Sequence, residues 1–279
     1  MFADQAIVER VGSLPGSVTH FLTWAYQRAV GSNYERRLYP RPMSAYEVTY
    51  RTYDLLNVSA GDSMLRDLVA AVGEDDTVYD IGANVGNYSF VLAGQHPSIV
   101  VQAFEPQPVV FEQLCRNVRI NADEFGGRIV PHDVAVSSSD GTAVFHVSAD
   151  RGSGSLTRAN AATFGVVDEI EVETIDLDTA AERYGVPDLI KIDAEGQLID
   201  VLEGGTECFD VHRPTVYFET HHRRSGIDYD ERDVRSVFGT HDYVVSDRGG
   251  HYAAIPEEQE ETVELETTTK TVPSTTVEG

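Results

Sequence analysis

The run Thr77-Val78-Tyr79-Asp80-Ile81-Gly82-Ala83-Asn84-Val85-Gly86-Asn87-Tyr88 combines an acid and two glycines at the spacing of a ligand-holding loop. An apolar strand leads into Asp80, the glycines at 82 and 86 follow, and an amphipathic helix begins. Glycine lets a backbone approach a ligand closely and take up positive φ without a Cβ clash. The helix behind it offers unpaired N–H groups and the positive end of its dipole. Such a loop lies at the carboxyl edge of a parallel sheet. A dinucleotide fingerprint reads G-x-G-x-x-G and seats a pyrophosphate on the helix N-terminus. Here Asn84 replaces the middle glycine, and Asp80 stands two residues before the first.

A carboxylate at position 80 repels a pyrophosphate and suits an ammonium group, such as the amino-acid end of S-adenosylmethionine. A second acid points the same way. The strand Ile99-Val100-Val101-Gln102-Ala103-Phe104 ends in Glu105, followed by Pro106. A carboxylate at the tip of a second strand accepts hydrogen bonds from both ribose hydroxyls in nucleotide-binding α/β folds. Taken singly, Asp80 reads as an exposed loop acid and Glu105 as a surface charge at a helix start. The pair, with the glycines between, reads as a cofactor site.

The elements that must position these groups alternate along the chain. A helix over 61–76, capped by Asp62 or Ser63, precedes a strand at 77–81, a helix at 85–94 and a strand at 99–104. Pro108 opens the next helix, where Phe111, Leu114, Cys115 and Val118 share one face. Arg128–Val136 reads as a third strand. Residues 141–175 read as a β-rich insertion with a polar loop at Arg151–Ser155, of which Ser153–Ser155 is expected either over the cofactor or acceptor or as a plain hairpin connection. The fourth strand, Asp188–Asp193, has the continuous apolar character of a sheet buried on both faces. A helix at 197–203 stops at Gly204-Gly205, and Thr215–Phe218 forms a fifth strand ending in Glu219. One more helix and a hairpin around Gly249-Gly250 close the domain. The expected fold is therefore α/β: a doubly wound, Rossmann-like sheet with helices on both faces.

Three regions are expected. Residues 1–60 read as a helical extension, since Val18, Phe21, Leu22, Ala25 and Ala29 follow helical spacing; its Trp24 and tyrosines suit a packing layer, or else a substrate lid. Residues 61–255 form the cofactor-binding domain. From Pro256 onward the chain has seven glutamates and seven threonines with few large apolar residues, the composition of a disordered tail.

The 279 residues carry 46 acids against 21 bases, a net charge of −25. Such a field disfavours nucleic acid and anionic membranes as partners. With only Lys191 and Lys270 as lysines, the acidity suggests a halophile's solvated surface. No stretch reads as a secretory signal, and Val18–Val30 is too short and polar to span a bilayer, so a cytoplasmic location is expected. Cys115 and Cys208 read as small buried hydrophobes.

Four segments together closely resemble the FkbM family of S-adenosylmethionine-dependent methyltransferases: Asp80-Ile81-Gly82-Ala83-Asn84-Val85-Gly86, Phe104-Glu105-Pro106, Ile190-Lys191-Ile192-Asp193-Ala194-Glu195-Gly196, and Glu219 after a strand led by Pro214. The Lys-Ile-Asp-x-Glu-Gly run is the most specific. The resemblance implies methylation of a hydroxyl on a sugar, glycan or small natural product. It places Asp80, Gly82, Asn84 and Gly86 at the methionine end of the cofactor, Glu105 at the ribose, Asp133 at the adenine, and Asp193 and Glu195 beside the methyl group. Gln197 departs from the pattern, which commonly has alanine there.

Methyl transfer is an in-line displacement at a sulfonium carbon, so the protein must align an oxygen nucleophile and help remove its proton. Asp193 is the best-placed base; Glu195, Glu219, His221 and His222 are the others. A divalent metal held by Asp193, Glu219 and the histidines is disfavoured, because adjacent strand residues point to opposite faces. Two other classes compete: an NAD-dependent oxidoreductase, disfavoured by Asn84 and Asp80, and a non-catalytic cofactor-binding module.

Overall fold

Period-two and continuous apolar runs in this chain resolve into one central sheet covered by helices on both faces. The computed structural model describes residues 39–53, 61–148, 154–158, 165–220 and 230–259. Seven strands make the central sheet: β3 (Thr77–Ile81), β4 (Val100–Phe104), β5 (Ile129–His132), β9 (Leu189–Ile192), β10 (Thr215–Phe218), β11 (Tyr243–Asp247) and β12 (Tyr252–Pro256). Their order is β11-β12-β10-β9-β3-β4-β5. The five strands from β5 to β10 run parallel, while β12 and then β11 attach antiparallel. The chain steps from β3 outward to β4 and β5, then returns to β9 on the other side of β3. That reversal opens a crevice at the carboxyl ends of β3 and β9, where open α/β sheets bind ligands.

One face carries α1 (Ser63–Ala71), α2 (Asn87–Ala93) and α3 (Pro108–Ile120). Asp62 caps α1 by accepting from Leu65 N, which directs Met64, Leu65 and Leu68 into the core. The short α4 (Ala122–Phe125) follows α3 and buries Phe125 in the same core. The other face carries α5 (Leu177–Tyr184), α6 (Leu198–Glu203) and α7 (Glu231–Gly239), whose buried side chains pack with Phe209, Phe218 and Tyr243. A capping box between Asp230 and Asp233 fixes the start of α7.

Three expectations are corrected. The described part of the expected helical extension is a β-hairpin, β1 (Arg41–Ala45) and β2 (Val48–Thr52). Met43, Ala45, Val48, Tyr50 and Thr52 alternate inward, and Tyr46 and Glu47 both take positive φ, as a tight hairpin turn requires. Tyr50 stacks on Phe90 at 4.8 Å and donates to Asn87, so the hairpin packs on α2. Residues 1–38, with Trp24, lie outside the described residues. Second, the single strand expected over 128–136 is two: β5 ends at His132, and β6 (Ala135–Ser137) joins a separate three-stranded sheet with β7 (Gly141–Ser148) and β8 (Val166–Asp176). That sheet is the expected β-rich insertion, with a small core of Ala135, Phe145 and Val172.

Third, the tail does not begin at 256. Pro256 pairs with Tyr243 in the sheet, and Glu258 accepts from Nε and Nη2 of Arg213 with its two carboxylate oxygens. A pairing partner on β11 and a fixed cation supply what composition alone did not promise. Residues 260–279 lie outside the described residues. Among the described residues no helix is long and apolar enough to cross a membrane.

Candidate active site

Where β3 ends, the chain turns through Gly82 with φ +73, and a Cβ there would lie 2.2 Å from the Asp193 carbonyl oxygen. Only glycine lets the loop press against the end of β9 so closely. The amides of Gly82 and Ala83 both donate to Phe104 O, and Asp193 N donates to Ile81 O at 3.0 Å. Asn84 adopts a left-handed φ of 52, and Gly86, at φ 92, caps α2. A Cβ on Gly86 would sit 2.7 Å from Leu114, so this glycine serves helix packing.

Glu105 is buried at the tip of β4. Its Oε2 accepts from Asn84 N at 3.0 Å and its Oε1 from Gln107 N at 2.9 Å. Burial pushes its pKa up to about 7; the two amides and Lys191 oppose that rise without cancelling it. Glu105 is therefore not the surface charge it reads as when taken singly. It keeps lone pairs for further donors, because a carboxylate accepts about four hydrogen bonds.

Asp80 is corrected more sharply. It has no exposed surface and does not face the cleft. Its Oδ2 accepts from Ser89 Oγ at 2.6 Å, and its Oδ1 lies 2.9 Å from Lys191 Nζ. The Lys191 ammonium donates to Gly82 O at 2.8 Å and Ile81 O at 3.2 Å, so its contact with Oδ1 is an ion pair off the hydrogen-bond direction. Lys191 was not recognised from sequence as a site residue. The available signal was a lysine, one of two in the chain, inside the apolar strand Leu189–Ile192.

Beside these groups lies a cleft that is partly open to solvent. It brings together Gly82, Asn84, Glu105, Asp193 and Glu195, all expected from sequence. Its apolar walls come from Phe104, Val110, Val134, Val136 and Phe145. Asp133 is exposed in the link between β5 and β6, and its neighbour Val134 lines the cleft instead. His221 and His222 lie outside the described residues.

Part of the polar loop of the insertion also reaches the cleft. Ser155 pairs with His146 of β7 and donates from Oγ to Glu195 O at 2.5 Å. Gln197 donates to Thr157 Oγ1 at 2.7 Å, so the residue that departs from the expected pattern ties this loop to the turn after β9. The Tyr88 ring lies against the Lys191 ammonium, and its phenol pKa is pushed up by burial first and then by the nearby Asp62, Asp193 and Glu219. Among the described residues no group of three or more His, Cys, Asp or Glu side chains could hold a metal ion.

The family model of the methyltransferase FkbM domain matches residues 80–245. The chain is 30% identical over 147 residues to the hexuronic acid methyltransferase AglP of Haloferax volcanii, covering 52% of this chain and 56% of that protein. It is 28% identical over 169 residues to the methyltransferase sdnD of Sordaria araneosa, covering 50% of this chain and 64% of that one. The chain thus spans less than two thirds of either relative. A crystal structure of methyltransferase FkbM from Methylobacillus flagellatus superposes with a TM-score of 0.46 at 18% identity, covering 66% of this chain and 44% of that one.

Proposed function

The chain belongs to the FkbM methyltransferase family, and we propose that it is an S-adenosylmethionine-dependent O-methyltransferase acting on a hydroxyl of a sugar, glycan or small natural product. The observation that carries this is the cleft at the sheet's reversal point, with Glu105 at the tip of β4 and Asp193 at the tip of β9 on either side of the Gly82 loop.

The residues present fit the cofactor. Phe104, Val134 and Val136 form an apolar wall suited to an adenine ring. Glu105, fixed by two amides, has acceptor capacity left for a ribose diol. Gly82 presents bare backbone, and the carboxylates of Asp193 and Glu195 give the far end of the cleft the negative potential that suits a cation. Asp80 acts one layer deeper, through Lys191. When bound, the cofactor supplies a methyl group activated on a sulfonium.

Asp193 stands at the end of β9, its backbone fixed by Ile81 O. In this account its carboxylate accepts the hydrogen bond of the acceptor hydroxyl, orients the oxygen and takes its proton. Glu195 is a positioning group beside it, and His221 is the rival base. The Ser155–Thr157 segment is tied beside the cleft to the turn that carries Glu195 and Gln197.

The sugar acceptor draws support from the Haloferax relative, a hexuronic acid methyltransferase, and the natural-product alternative stands behind it. The net charge of −25 argues against nucleic acid. Membership of a methyltransferase family removes the ground for the oxidoreductase reading. Calorimetry with S-adenosylmethionine, S-adenosylhomocysteine and NAD tests the assignment: micromolar binding of the first two, on the order of −8 kcal/mol, is expected. A clear isotherm with NAD and no heat from either of the others would overturn it.

A further inference from the structure

Lys191 is 2% exposed, a costly place for an ammonium. Four groups enclose it: the Asp80 carboxylate at 2.9 Å, the carbonyls of Gly82 at 2.8 Å and Ile81 at 3.2 Å, and the Tyr88 ring with its centroid at 5.2 Å. Asp80 is itself anchored to α2 through Ser89. The same two loop residues meet Asp193 directly. Ile81 O also accepts from Asp193 N, and the Gly82 Cα packs so tightly on Asp193 O that a Cβ would lie 2.2 Å from it. Any shift of residues 81–82 is therefore a shift of Asp193. No other buried side chain contacts both the loop backbone and the Asp80 carboxylate among the hydrogen bonds and ion pairs of the described residues.

We infer that Lys191 is a positioning residue: its ammonium, clasped by Asp80, holds the carbonyls of Ile81 and Gly82 and so sets the spacing between the glycine loop and Asp193. A lysine suits this task because its compact head donates to two carbonyls while its charge pairs with the Asp80 carboxylate. Burial alone would lower its pKa, but Asp80, Asp193 and Glu219 outweigh burial and hold the ammonium charged. The catalytic consequence rests on the proposed methyl transfer, while the mechanical role rests on these contacts alone.

Lys191→Met by itself would leave Asp80 as an unpaired buried charge and threatens folding. The informative variant is Asp80→Asn/Lys191→Met, which removes both charges, keeps an acceptor for Ser89 and conserves the volume of the lysine stem. Hydrogen exchange on the full chain should show the amides of Gly82, Ala83, Asn84 and Asp193 opening at least about tenfold faster than in the wild type, with the interior of β4 and β10 unchanged. With an acceptor in hand, kcat should fall on the order of 10²-fold while the cofactor Kd changes by less than about tenfold, the signature of lost alignment. Unchanged exchange at those four amides, or wild-type kcat in the folded double variant, overturns the inference. If wild-type protein binds no S-adenosylmethionine, the functional assignment fails, and the exchange measurement still decides whether Lys191 ties the loop.

Discussion

Glu105 makes cofactor binding a proton-linked event. In the free protein, burial sets its pKa near 7, so at pH 6 only about a tenth of it is ionised and at pH 8 about nine tenths. The sequence of charges is decided by chemistry: ribose hydroxyls donate, and the ionised carboxylate is the stronger acceptor. If only the ionised form binds productively, the Kd for S-adenosylhomocysteine should fall by about tenfold between pH 6 and pH 8, about 1.4 kcal/mol. The change should flatten above pH 8. Binding at pH 6 should release close to one proton, measured by calorimetry in buffers of different ionisation heat. The ligand's α-amino group also titrates at alkaline pH, so the quantity to read is the difference between wild type and Glu105→Gln. That variant keeps the shape and removes the titration. Identical pH slopes in the two proteins would refute the linkage, and with it the placement of Glu105 against the ribose.

Glu105→Ala should also change folding, because it strands the amides of Asn84 and Gln107, each worth about 1–3 kcal/mol when buried. The pH dependence has a definite sign. A carboxyl whose folded pKa is raised loses stability as pH climbs from about 4.5 to about 7, so the variant's deficit should be largest at pH 5 and smaller at pH 8; a deficit growing with pH, by denaturant melts, would contradict this. Gly82→Ala forces a side chain into the left-handed region, at about 1–2 kcal/mol, and into Asp193 O. Titration should show loss of cofactor affinity, and wild-type binding would show that the loop has room. A chain ending at Gln259 should keep the wild-type melting temperature. One ending at Ala254 should not, since it removes Ile255, whose burial is worth about 1.5–3 kcal/mol, and the Glu258 partner of Arg213; equal melting of the two would return the tail boundary to 256. With a net charge of −25, molar potassium chloride should raise the melting temperature steeply and then saturate, as the Debye length falls from about 30 Å at 0.01 M to about 3 Å at 1 M. The same melting temperature at millimolar salt would leave the acidity as a solubility feature.

Local patterns along the chain made most of this architecture legible. Continuous apolar strands, alternating with helices that have one apolar face, forecast the central sheet and the two layers on it. The glycine loop and the acids at strand tips forecast which ends would meet. What failed to show was orientation and partnership. Asp80 and Lys191 are far apart in sequence and sit side by side on β3 and β9, so their pairing is a product of strand register. Once paired, the acid is spent inside the protein rather than on the ligand. The split of the third strand at Asp133 was hidden because β5 and β6 both carry apolar residues and are only two residues apart. The hairpin before α1 needed weight on period-two alternation, which the prolines at 40 and 42 obscured. Glu258 was misplaced because a composition-based boundary does not see a single arginine waiting across the fold.

The most direct measurement follows a labelled methyl group from S-adenosylmethionine into a glycan or uronic-acid-bearing acceptor, comparing wild type with Asp193→Asn. Asn conserves size and removes only the proton-accepting charge. The account predicts a folded variant with most of its cofactor affinity and turnover lowered by about 10²–10⁴-fold, with Glu195→Gln less affected. Near-wild-type transfer by Asp193→Asn, alongside loss in His221→Ala, would contradict it and move the base onto the histidine.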